Sequence, residues 1–164
     1  MRPQPIYRAP MRARDRDVGS GAGADHGLAH GLVGIGDALA TPPATLDEAV
    51  AAAARHGEKA GRMLRRFADL GDGTFVWTHA SDGAFHLGRI SGPWRYDDSP
   101  AAQAVGIHHV RPADWLERPF GEHEAPAAVP ATFARGGRNF QRIHDTSAAR
   151  STARLWALAA GRTG

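Results

Sequence analysis

The chain has 164 residues, the length of one ordinary domain, and a hydrophobic fraction of 42% that suffices for a core although alanine, which buries little surface, supplies much of it. No apolar run approaches the roughly 18 residues of a membrane span, the basic stretch MRPQPIYRAPMRARDRD lacks the apolar segment of a secretory signal, and no cysteine is present for disulfides or thiolate metal sites. The formal charge is +3 while the sequence pI is about 10.1, because Lys59 is the sole lysine and arginine supplies the other permanent cations. The expected location is the cytoplasm. A GC-rich codon bias accounts for the overall excess of arginine, so only local clusters of it carry information.

Residues 1–25 alternate Pro, Arg, Gly and Ala without apolar periodicity, which predicts a disordered basic arm bearing Arg2, Arg8, Arg12, Arg14 and Arg16. Such an arm either adds salt-dependent affinity for nucleic acid or is an idle tail. A folded domain is expected over 26–144 and a closing helix over 145–164. Leu28 to Gly36, apolar and glycine-punctuated, suits a first strand. In TLDEAVAAAARHG, Thr45 followed three residues later by Glu48 is a capping-box pattern, so a helix is predicted over 46–56 with Gly57 as its stop. A second helix is predicted from Glu58 to Leu70, where Met63, Leu64, Phe67 and Leu70 form an apolar stripe. Arg62, Arg65 and Arg66 beside the opposite face read either as a solvated surface or, from their single sign, as a phosphate-facing one.

From Gly73 the period changes to that of strands. Phe75 to Thr78, the turn Ser81-Asp82-Gly83 and Phe85 to Ile90 predict a hairpin, with Gly88 marking a bulge or the close approach of another backbone. Gly92-Pro93 turns the chain into Trp94-Arg95-Tyr96. A loop rich in Ser, Pro and Ala leads to a strand over Ile107 to Val110, and Arg111-Pro112 directs the chain to Trp115. After a loop from Leu116 to Glu124, a short helix is predicted over Ala125 to Arg135. A last strand spans Arg138 to Ile143, with Phe140 as a buried anchor. Asp145 is placed to cap a final helix running to about Ala160.

Two runs, GRISGPWRYD (Gly88 to Tyr96 at its heart) and HHVRPADW (His109, Arg111, Pro112 and Trp115), resemble the PUA-like domains related to EVE domains found at the N-termini of Mrr-type restriction endonucleases. Trp94 stands where that family usually has tyrosine and Ala113 where it has valine. The likeness extends to LVGIG, to Phe75-Val76-Trp77 and to Phe140-Gln141-Arg142-Ile143, and so covers roughly Leu28 to Ile143. It implies an α+β fold, a small PUA-like mixed β-barrel flanked by helices. It also implies nucleic-acid binding, DNA ahead of RNA, with modified bases flipped from the duplex as one target and a separately encoded nuclease as a candidate partner. A flipped base is held between aromatic faces while polar groups read its edge.

On that reading the candidate nucleic-acid contacts are Trp77, Arg89, Trp94, Arg95, Tyr96, His109, Arg111, Arg138, Asn139 and Arg142. Trp94, after Gly-Pro and beside Arg95, is the ring expected to be exposed. Trp115 and Phe140 read better as core anchors, Tyr96 can instead bond a loop backbone, and Arg111 can be tied to Asp97 or Asp114. No cofactor or metal is expected: His108 and His109, adjacent in a strand, point to opposite faces, and no HExxH spacing occurs. The sequence has no GxxxxGK loop, no GxSxG elbow and no Asp/Glu-x-Lys nuclease motif. Asp97-Asp98 read as turn formers. The expectation is a binding module without catalysis, with a structural or regulatory subunit holding a protein partner or small ligand as the alternative.

Overall fold

Alternation along the central hairpin sets the architecture. Strands β3 (Phe75–His79) and β4 (Phe85–Ile90) pair antiparallel, with Trp77 opposite Leu87. Because successive side chains leave opposite faces, Phe75, Trp77, Phe85 and Leu87 enter one buried cluster and Val76 and Ile90 enter another. The sheet is therefore covered on both sides. The computed structural model describes residues 2–15 and 17–162, and the elements below complete the two layers.

On the Val76 side lie helices α1 (Ala22–His30), α2 (Leu46–Ala54) and α3 (Glu58–Asp69), which contribute Ala24, Ala49, Ala53, Leu64 and Phe67. On the Trp77 side lie α5 (Ala128–Ala134) and α6 (Thr146–Arg162), with Val129, Ala148 and Ala149 buried. Trp77 is wholly buried there, and its Nε1–H donates to Thr152 Oγ1 at 3.0 Å. The remaining strands are β1 (Ile6–Arg8), β2 (Leu32–Ile35), β5 (Arg95–Tyr96), β6 (His109–Trp115) and β7 (Gln141–Arg142), and α4 (Pro100–Val105) precedes β6. The order across the sheet is β2-β6-β4-β3-β1-β7, with β5 also on β6. The end strands β2 and β7 do not pair with each other, so the sheet is a curled half-barrel rather than a closed barrel. The α+β class holds. The sheet is mixed because β1 and β3 run parallel while the other pairs are antiparallel.

That parallel strand corrects the expectation of a disordered arm. Ile6, Tyr7, Arg8, Ala9 and Met11 are all buried, and β1 lies between β3 and β7. The local sequence is only Ile-Tyr-Arg-Ala between prolines, too short to show a period; its order comes from ladder bonds and burial supplied by distant strands. Leu28 to His30 likewise ends a helix rather than starting a strand. Helix α1 carries two glycines, which disfavour a helix but allow close contact: a Cβ at Gly23 would sit 1.8 Å from the Met11 carbonyl oxygen. The Ser-Pro-Ala loop contains α4, capped by Ser99 Oγ, which accepts from Ala102 N–H at 3.2 Å, and ended by Gly106 in the left-handed region.

Other local readings hold. Thr45 Oγ1 accepts from Glu48 N–H at 3.1 Å, and Glu48 reaches back to Ala44 N–H at 2.9 Å. Asp145 caps α6 through Ala148 N–H at 2.8 Å. At Gly88 the expected backbone neighbour is replaced by a side chain: a Cβ there would lie 2.4 Å from a Trp115 ring carbon. The strand expected over Ile107 to Val110 starts two residues later and runs on through Pro112 to Trp115.

Because β1 is a buried strand of the sheet, trimming a core side chain in it is costly. Ile6→Ala should lower unfolding free energy by roughly 3 kcal/mol, as for other large-to-small core changes, measured by urea denaturation at neutral pH. A disordered arm would show no change.

Candidate functional site

Two buried arginines position the surface that carries the candidate site. Arg111, in β6 and 3% exposed, faces the end of α3. Its Nη1 donates to Phe67 O at 3.1 Å and to Leu70 O, its Nε to Gly92 O at 2.9 Å, and its Nη2 to Asp72 Oδ1 at 3.0 Å. The guanidinium thus collects carbonyls at the negative end of the α3 dipole. Burial draws its pKa down and Asp72 opposes that. Arg8, in β1 and 5% exposed, does the same for α5: Nη1 donates to Thr132 O and Gly136 O, both at 2.9 Å, and Nε to Asn139 O at 3.2 Å. Gly136 and Gly137, at φ 74° and 94°, make the left-handed turn that brings those carbonyls round.

Between the segments so fixed lies a cleft of about 450 Å³. Helix α3 supplies Lys59, Arg62 and Arg66, which recur at helical spacing within one narrow arc and so share one wall. Arg12 and Arg14 come from the segment after β1, and Arg138, Asn139 and Gln141 from the turn that Arg8 holds. Asp37, just past β2, is the sole carboxylate among the described lining residues, against six Lys and Arg side chains. Arg14 pairs with Asp37 at 3.0 Å and Arg62 with Glu58 at 3.6 Å. Among the described residues Arg12, Lys59, Arg66 and Arg138 have no ion-pair partner. A concave surface of one sign focuses potential and draws in anions.

His109 also lines the cleft, 3% exposed. Trp94 Nε1–H donates to its Nδ1 at 3.3 Å, which places the ring proton on Nε2. Tyr96 packs edge-on against the ring at 5.3 Å, and Tyr96 Oη accepts from Leu39 N–H at 2.9 Å. Burial first, and the neighbouring His108 second, push the His109 pKa down to about 4, against the opposing pull of Asp37. The ring is therefore neutral at pH 7.

Of the ten residues expected to contact nucleic acid, His109, Arg138 and Asn139 meet in this cleft. Trp94 and Tyr96 stand behind it, half-buried, and fix His109. Trp77 and Arg111 are corrections: both are internal, the first closing the core against α6 and the second holding α3, and neither can meet a ligand. The carboxylate tied to Arg111 is Asp72, not Asp97 or Asp114. Arg89 lies 4.9 Å from the ring centre of Trp156 and fastens α6 to β4. Arg95, paired with Asp97 at 3.7 Å, and Arg142 are exposed but do not line the cleft. Sequence reading missed Arg12 and Arg14 as site residues because their segment looked disordered. Of the α3 cations, Arg62 and Arg66 belong to the one-sign cluster visible in the sequence, whose third member Arg65 instead pairs with Asp47 at 2.7 Å, whereas Lys59 is outside it. Asp37, His56 and Gln141 gave no signal. Compared with protein-family models and with curated proteins, the chain matches none.

Arg111→Lys keeps the charge but loses the fork, and it should destabilise the protein by about 2 kcal/mol through carbonyls left unbonded in the interior, read from the urea midpoint. For His109 the folded pKa lies below the ordinary 6.5, so the unfolded chain binds more protons between those values. Stability is complete above about pH 6.5 and falls as pH drops toward 4, by about 3 kcal/mol from this residue. His26 and His86, also held low by burial, add to the same slope. His109→Gln should flatten the slope in part, measured by urea unfolding at pH 7 and pH 4.5.

Proposed function

We propose that this chain is a non-catalytic nucleic-acid-binding module of PUA-like, EVE-related fold, and that phosphates of the bound strand enter the cleft between α3 and Arg138. The observation that carries this reading is the charge of the cleft, six cations against one carboxylate in about 450 Å³. Same-sign charges at such density repel each other until an anion joins them, and arginine forks match phosphate oxygens. The lining side chains of Arg12, Lys59, Arg62, Arg66 and Arg138 are all exposed.

The fold reading is supported by the way the two family-like runs meet. Arg95 and Tyr96 of the first pair with Val110 and His109 of the second, antiparallel. The mixed half-barrel is consistent with the same resemblance, which also favours DNA over RNA. Base recognition falls to polar groups in the cleft, because Trp77 is buried and Trp94 and Tyr96 support His109 from behind. Asn139 and Gln141 are exposed amides able both to donate and to accept. The cleft's volume also suits a small anionic ligand, the competing reading.

Fluorescence anisotropy with single-stranded and duplex DNA between about 50 and 200 mM salt tests the proposal. Affinity should fall with salt, by about 0.7 to 0.9 in the log–log slope for each phosphate contacted. Arg62→Ala combined with Arg66→Ala should weaken binding roughly tenfold or more and reduce the slope by one to two contacts' worth, with the thermal midpoint nearly unchanged because both side chains are exposed. Absence of binding to every DNA at the lowest salt would sink the proposal. Binding of free nucleotides alone would favour the small-ligand reading.

A further inference from the structure

Asp37 is out of place in a phosphate-binding cleft. The cations around it attract phosphate, and its carboxylate repels the same group. Its pairing with Arg14 does not explain it, since the two side chains are 42% and 67% exposed and such screened pairs contribute little. Among the described residues Arg14 is the one ion-pair partner of the carboxylate, whose pull on the neighbouring His109 is outweighed by burial, so that ring stays neutral and does not offset the charge. The carboxylate, 42% exposed, is open to a ligand N–H donor, which a phosphodiester does not carry. Nucleic-acid bases carry such donors on their edges.

Resting on the nucleic-acid reading above, we infer that Asp37 is a specificity-determining residue that accepts hydrogen bonds from the edge of one unpaired base, and that guanine is the base it fits. Guanine alone among the four bases sets an imino N–H beside an amino group, a pair of parallel donors matching the two oxygens of one carboxylate. Adenine and cytosine offer one amino group, and the imino N–H of thymine lies between carbonyl oxygens that a carboxylate repels. The cleft, about 450 Å³, has room for one nucleotide, so the base arrives from a single strand or an extruded position. The exposed amides of Asn139 and Gln141 line the same cleft and can donate to the guanine carbonyl oxygen. The cations of α3 then hold the phosphate.

Octamers of thymidine with one central deoxyguanosine, deoxyinosine, deoxyadenosine or deoxycytidine, titrated by calorimetry at low salt, test this. Inosine lacks only the guanine amino group. The guanine octamer should bind about tenfold tighter than the inosine octamer, the usual size of one base-edge discrimination. Asp37→Ala should bring those two to within about twofold while tightening the plain thymidine octamer, because a repelling charge is gone. Arg14→Ala removes the same ion pair but leaves the carboxylate, and it should keep the guanine preference at lower affinity. Should Asp37→Ala not fold, Asp37→Asn, which exchanges one acceptor for a donor, is read in the same way. Equal affinity for guanine and inosine in the natural protein, a preference that survives in Asp37→Ala, or one lost equally in Arg14→Ala would overturn the assignment. If no octamer binds, plain thymidine included, the nucleic-acid reading itself fails and this inference with it.

Discussion

Each wall of the cleft is held by a buried arginine that gathers the carbonyl end of a helix. Arg111 does this for α3 and Arg8 for the turn after α5. A buried guanidinium is tolerable only when its donors are satisfied, and the oxygens at a helix C-terminus are unpaired by construction. The two deficits cancel. The arrangement is also geometrically strict, because a planar fork reaches several carbonyls only when the helix end sits at one distance and angle. Lys59, Arg62 and Arg66 on one wall, and Arg138 and Asn139 on the other, inherit their positions from these two contacts.

This division separates two uses of the same residue type. The buried arginines face backbone oxygen and give the fold its register. The exposed ones face water, and four of the six cleft cations lack a carboxylate partner among the described residues. Composition cannot distinguish the two classes. Arg8 and Arg12 lie in one basic stretch, yet the first is structural because β1 pulls it into the sheet and the second lines the cleft. Charge clustering along the chain is thus a poor guide to charge clustering in space, where a parallel strand brings residue 6 beside residue 75.

The floor of the cleft shows how aromatic residues can serve a site without touching a ligand. Trp94 and Tyr96 were reasonable candidates for stacking, since they flank an arginine after a Gly-Pro turn. Pairing of β5 with β6 instead sets them against His109, one by a hydrogen bond and one edge-on. The Trp94 bond fixes the ring's tautomer, while burial and the neighbouring His108 keep it neutral. Gly88 plays a comparable supporting part, leaving space for Trp115, whose Nε1–H donates to Leu32 O at 3.1 Å and ties β2 to the sheet.

What the sequence by itself determined is what depends on near neighbours in the chain. The capped helices α2 and α6, the stripe of α3, the β3–β4 hairpin and the burial of Phe140 are of this kind, because caps, turns and periodicity act over a few residues. The signals for α4 are equally local, with Ser99, Pro100 and Gly106 at the cap positions, inside a segment whose Ser, Pro and Ala content resembles a loop. Tertiary structure alone decided the order of β1, whose ladder and core contacts come from residues some 70 and 135 positions away. It also decided the glycine-based packing of α1, the internal fate of Trp77 and Arg111, and the meeting of Arg12, Asp37, Arg66 and Arg138 at one cleft. Those outcomes rest on burial and backbone pairing between distant segments, which leave no periodic trace in the chain.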